Sequence, residues 1–125
     1  MGKKLTALDL IAVVLIIIVG SIHLIDAPDS FQDVVYKGWL FYANGVGAGL
    51  SAVMMVRQAR WGWWLGLLVA AGAFAGYVAS RTVGLPMIPA EPQAWFEPLG
   101  VTSLVAETAF IAVFIRRMMA DTNEP

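Results

Sequence analysis

The chain has no cysteine, one histidine, and charge on only 14% of its 125 residues. Without cysteine there are no disulfides, Fe–S clusters or thiolate metal sites, and the redox compartment cannot be read from the composition. A single histidine excludes a His-rich metal site and bis-histidine haem ligation within one chain. Eight Lys and Arg against nine Asp and Glu leave a formal charge of −1. No bulk field therefore points to a polyanionic partner, and no nucleic acid is expected. A soluble domain of this size carries about 25% charged residues, so the shortage also excludes most soluble enzymes and a disordered tail.

What is present is apolar: hydrophobic residues make up 59% of the chain. The charges divide it into four runs with almost none, Leu10–Ile25, Gly38–Val56, Trp61–Ser80 and Pro98–Ile115, each 16 to 20 residues long. About 20 apolar residues in a helix cross a hydrocarbon core about 30 Å thick. Backbone that is not helical cannot face lipid, because its unpaired N–H and C=O groups have no water to bind. The expected fold is therefore all-α: a polytopic integral membrane protein, one four-transmembrane-helix bundle, with helices near 7–26, 38–57, 61–81 and 97–117. Lys3 and Lys4 before the first run raise the possibility of a signal peptide. The run is too long for one, no A-x-A site follows, and three more spans do, so an uncleaved first helix is expected.

Six basic residues (Lys3, Lys4, Arg57, Arg60, Arg116, Arg117) fall on one side of these spans, and only Lys37 and Arg81 on the other. The positive-inside rule then places both termini in the cytoplasm, as a multi-pass protein of the cytoplasmic membrane. The opposite side is acidic, with Asp26, Asp29, Asp33, Glu91 and Glu97. Trp61, Trp63 and Trp64 mark the inner interface, and Trp39 and Trp95 the outer one. Phe31, Val34 and Val35 in the first outer loop suit a short interfacial helix. Pro86, Pro89, Pro92 and Pro98 make the second outer loop extended and stiff, either a rigid connector or a lid.

Helix packing should rest on glycine. Gly45 and Gly49 in the second helix, and Gly62/Gly66 and Gly72/Gly76 in the third, are G-x-x-x-G pairs. Such pairs allow the close backbone approach that brings helices together in lipid. They serve either the bundle itself or a docking face for another chain or a flat cofactor. The first helix is bulky and β-branched (Val13, Val14, Ile16, Ile17, Ile18, Val19) and is expected to face lipid at the periphery.

Glu107 stands out among the polar groups. It lies about 13 Å below the outer boundary, where a carboxylate costs on the order of 2.5–3.5 kcal/mol unless it is protonated or partnered. Asn44, about 9 Å deep, and His23, Asp26, Arg81, Tyr77, Ser103 and Thr108 could join it in a polar column opening outward. Three roles are open for this group. It can fix helix register, hold a cation, proton or small polar ligand through Glu107, His23 and Asp26, or meet another subunit. His23 offers one axial ligand to a haem or pigment ring, although no cofactor is required by the sequence. No nucleophile–base arrangement, phosphate loop or zinc protease signature exists, so no enzyme activity is expected.

Ser80-Arg81-Thr82-Val83-Gly84-Leu85-Pro86 resembles the S-R-T-x-G-L-P signature of a group of small four-helix bacterial membrane proteins. Those proteins also carry a His near the end of the first helix before a short acidic loop, as His23–Pro28 does here, and an acidic residue in the fourth helix, matching Glu107. The resemblance implies the topology and three candidate residues: His23, Arg81 and Glu107. Such proteins often have a second His in the first outer loop. Asp29-Ser30-Phe31 has none, which counts against a metal site. The expected function is that of a non-catalytic accessory subunit of a larger, energy-transducing membrane complex. Its partners would be the lipid bilayer and other membrane subunits or further copies of itself. The alternatives are a small ion-, proton- or ligand-handling protein, and a pigment- or haem-binding subunit.

Overall fold

A computed structural model describes residues 4–122, with side chains through 120; Lys3 lies outside the described residues. Four helices follow one another: α1 (Ala7–Asp33), α2 (Val35–Val56), α3 (Arg60–Arg81) and α4 (Pro98–Thr122). All four are long and apolar enough to cross a membrane. Each packs on its neighbours in chain order, and α4 returns to α1 to close the ring; α2 and α4 stand on opposite corners.

α1 starts cleanly. Thr6 Oγ1 accepts from the Asp9 N–H at 3.1 Å, and Asp9 Oδ2 accepts from the Thr6 N–H at 2.9 Å, a reciprocal capping box. The helix then runs 27 residues, through Pro28 to Asp33. At 1.5 Å per residue that is about 40 Å, longer than the hydrocarbon core. The expected end near residue 26 and the separate interfacial helix are therefore corrected. One extended residue, Val34 (φ −153°, ψ 137°), divides α1 from α2, which begins at 35 rather than 38. Proline has no N–H to give the Leu24 carbonyl, but it lies in the last turns of α1, six residues before the C-cap at Val34.

α1 is also not peripheral. Ala12, Ile16, Val19 and Ala27 are fully buried, and α1 contacts the other three helices. Its buried positions recur at helical spacing and mix small with branched residues, so one stripe faces the bundle while Val14, Ile17 and Ile25 face outward. Core and lipid are equally apolar, and hydropathy alone cannot separate the two stripes.

The inner ends of α2 and α3 meet in a tight hairpin. Ser51 Oγ donates to the Gly62 carbonyl at 2.7 Å. A Cβ on Gly62 would lie 2.8 Å from the Met55 backbone nitrogen, which only glycine avoids. The core continues through Met55, Trp63, Phe110 and Phe114, with Trp63 stacked on Phe110 at 6.1 Å between ring centres.

Candidate functional site: the polar groups of the bundle

The Ser80–Pro86 segment ends α3 and secures the outer loop. Thr82 Oγ1 donates to the Val78 carbonyl at 2.7 Å, and the Gly84 N–H reaches back to Ala79 at 2.7 Å with φ at +87°. Residues with a Cβ rarely adopt that φ, so the glycine of the signature is needed for this helix stop. Leu85 and Ile88 close a turn with paired backbone bonds of 2.9 Å. The Pro86 carbonyl accepts from Tyr36 Oη at 2.5 Å, tying the loop to α2.

Arg81 is the staple of this cap. Its guanidinium lies 3.9 Å from the Tyr77 ring centre and donates through Nε and Nη2 to the Ala94 carbonyl, both at 3.2 Å. It also reaches Ser80 Oγ at 2.7 Å and Glu97 Oε1 at 3.1 Å. Tyr77 Oη donates to the Trp95 carbonyl at 2.5 Å. Arg81 and Tyr77 thus hold the segment before α4 in place. That segment contains a 3-10 turn (Pro92–Ala94), so the loop is not extended throughout as the prolines suggested.

Glu107 lies nine residues into α4, roughly 13 Å from its start. It is 1% exposed. Ser103 Oγ, one turn earlier on the same helix, donates to Oε2 at 2.5 Å, while Oε1 is buried without a partner. Asn44 is the only other such case among the described residues. Its Nδ2 donates to the Val69 carbonyl at 3.3 Å, joining α2 to α3, and its Oδ1 is left without a donor. Each of these two oxygens can accept a hydrogen bond that no described residue supplies.

Among the described residues, no hydrogen bond joins Glu107, Asn44, His23 and Arg81 to one another. Arg81 and Tyr77 belong to the outer cap, Asn44 to the α2/α3 seam, and Glu107 to the face of α4 turned inward. Thr108 is exposed and bonds its own helix at Leu104. His23 lies on the α1/α2 side, its ring 4.8 Å from that of Phe41. Its Nδ1 donates to the Val19 carbonyl at 2.8 Å, which leaves Nε2 as the ring's acceptor. Asp26, one turn further on, is half-buried, and its carbonyl accepts from Ser30 Oγ at 2.9 Å. Among the described residues, no three His, Asp or Glu side chains come together as a metal site.

The glycine pairs separate in the same way. Gly45 packs against Leu24 of α1, as expected of a packing residue. Gly49, Gly72 and Gly76 do not pack within the chain, because a Cβ on any of them would meet nothing within 4 Å. Close contacts that a Cβ would break also occur at Gly20, Gly38, Gly62, Gly66 and Gly100.

Sequence reasoning also missed the lock at the inner end. Arg117 of α4 donates to Asp9 Oδ1 of α1, and its guanidinium lies 5.0 Å from the Trp63 ring centre. Thr6-x-x-Asp9 before an apolar run signals the cap of α1, but no sequence pattern pairs Asp9 with Arg117. Comparison with protein-family models, curated proteins and solved structures gives no match to the chain.

Proposed function

We propose that the protein is a non-catalytic accessory subunit of a membrane complex, with both termini in the cytoplasm. In this reading it docks sideways on other transmembrane helices through the outward face of α3. The observation that carries the proposal is the open face at Gly72 and Gly76, flanked by exposed Ala71 and Ala75. Facing lipid, small residues forgo dispersion contacts that leucine would make; facing another helix, they permit close approach. The basic residues Lys4, Arg57, Arg60 and Arg116 gather at one end of the bundle and Asp29, Asp33, Glu91 and Glu97 at the other, which supports the orientation. Affinity purification from the native membrane in mild detergent, with mass spectrometry, tests it. A stoichiometric membrane partner is expected, and a lone monodisperse chain would refute it.

A second reading takes its support from Glu107, whose buried Oε1 has no donor. A small ion- or proton-handling protein would use this oxygen, and Glu107→Gln would then abolish cation-dependent flux in liposomes. Unchanged flux in that variant would dismiss the reading. A visible spectrum of the purified sample tests the haem or pigment role of His23, and tryptophan absorbance alone would reject it.

A further inference from the structure

We infer that the inner end of the α1/α2 seam is a binding site for one anionic phospholipid. The acyl chain lies in the groove and the headgroup phosphate sits on Arg57. The groove arises from how the inner ends are tied. The Asp9–Arg117 pair holds α1 on α4, and the Gly62 contact with Met54 and Met55 holds α2 on α3. Further along the seam α1 and α2 are in close contact, since a Cβ on Gly20 would lie 2.5 Å from that of Ala48. Between this contact and the inner surface they part, leaving a groove of about 280 Å³ lined by Val13, Ile17, Ala52, Val53, Val56 and Arg57.

Its dimensions select the occupant. A helix with side chains is about 10–12 Å across and does not enter a groove of this volume, whereas part of one acyl chain does. Five of the six lining residues are apolar: exposed Ile17, Val53 and Val56 form the walls, and buried Val13 and Ala52 the floor. The sixth, Arg57, caps α2 at the inner boundary, is exposed and makes no ion pair with a described residue. Exposed Lys4, Arg60 and Arg116 lie at the same end of the bundle and add to the positive field there. A guanidinium at the polar end of an apolar slot matches a phosphodiester joined to an acyl chain.

Native mass spectrometry of the full chain in detergent tests this, with phosphatidylglycerol and phosphatidylcholine added in equal amounts. The wild type is expected to hold one phosphatidylglycerol in preference. Arg57→Gln should reduce that preference about tenfold, the effect of losing one charge-assisted contact. Arg60→Gln, equal in charge but outside the groove, should change it by less than about twofold. Val53→Phe and Ile17→Phe, at half-exposed positions, fill the slot and should lower the occupancy of both lipids. Equal losses in Arg57→Gln and Arg60→Gln would overturn the site in favour of a diffuse basic surface. Undiminished lipid in both phenylalanine variants would overturn the groove. A lipid-free dimer dispersed by Val53→Phe would assign the groove to a second copy instead.

Discussion

Replacing each glycine by alanine separates packing glycines from open ones, and the outcomes differ in sign. At Gly62 the new methyl would meet the Met54 Cβ at 2.7 Å and the Met55 backbone nitrogen at 2.8 Å. Backbone cannot rotate aside, so α2 and α3 must separate. Overpacking of this kind costs about 1–3 kcal/mol. Gly20→Ala meets the Ala48 Cβ at 2.5 Å, and alanine has no rotamer to change, so a similar cost follows. At Gly45 the obstacle is the partly exposed side chain of Leu24, which can swing away, and the cost should fall below about 1 kcal/mol. Gly72→Ala and Gly76→Ala meet nothing and gain up to about 1 kcal/mol of helix propensity, less wherever the unfolded state keeps its helices. Thermal unfolding of the five variants in one detergent, followed by circular dichroism, gives the order. If Gly62→Ala were as stable as Gly72→Ala, the close α2/α3 hairpin would be refuted.

Three further outcomes follow from the polar contacts. Arg81→Gln should cost about 1–3 kcal/mol and expose the loop before α4 to protease, because the Ala94 carbonyl loses both guanidinium bonds and keeps only the long Glu97 N–H at 3.4 Å. Glu97→Gln should cost no more than about 1 kcal/mol, since that side chain is 62% exposed; equal losses in the two variants would contradict the stapling role of Arg81. Ser103→Ala removes the one hydrogen bond to the Glu107 carboxyl in a buried site and should lower stability by about 1–3 kcal/mol, while Glu107→Gln keeps an acceptor for Ser103 and should cost less. Asp9→Ala removes both the α1 cap and the carboxylate facing Arg117 and should be worse than Thr6→Ala, which loses about 1 kcal/mol of capping; equal unfolding temperatures would contradict the α1–α4 lock.

The four spans were legible because charge is costly in lipid, so its gaps mark where helices cross. The extent of α1 was not, since Pro28 and the acidic residues near it look like a loop, although an interfacial helix end tolerates both. Rotation was the larger loss. Val13, Ile16 and Val19 look lipid-facing by type, yet they pack in the core, because a membrane helix is apolar on every side. Gly45 and Gly72 belong to identical sequence patterns, and only the positions of neighbouring helices tell them apart. For the candidate site, depth correctly singled out Glu107 as buried. Depth carries no azimuth, and it could not foretell that each of these groups finds its hydrogen bond elsewhere: Asn44 at Val69, Arg81 at Ala94, Glu107 at Ser103 and His23 at Val19. The resembled heptapeptide has a structural role of its own in the helix stop at Gly84 and the staple at Arg81.

The central claim, lateral docking through α3, is tested most directly by purifying the wild type and a Gly72→Leu/Gly76→Leu variant from the native membrane side by side. Both positions are open within the described chain, so the isolated bundle should keep its helical content and unfold at no lower a temperature. The account predicts that the wild type brings down a stoichiometric membrane partner, and that the variant loses at least about tenfold of it, the effect of some 1.4 kcal/mol of helix packing. A variant that retains the partner in full, or a wild type that elutes alone, would contradict it.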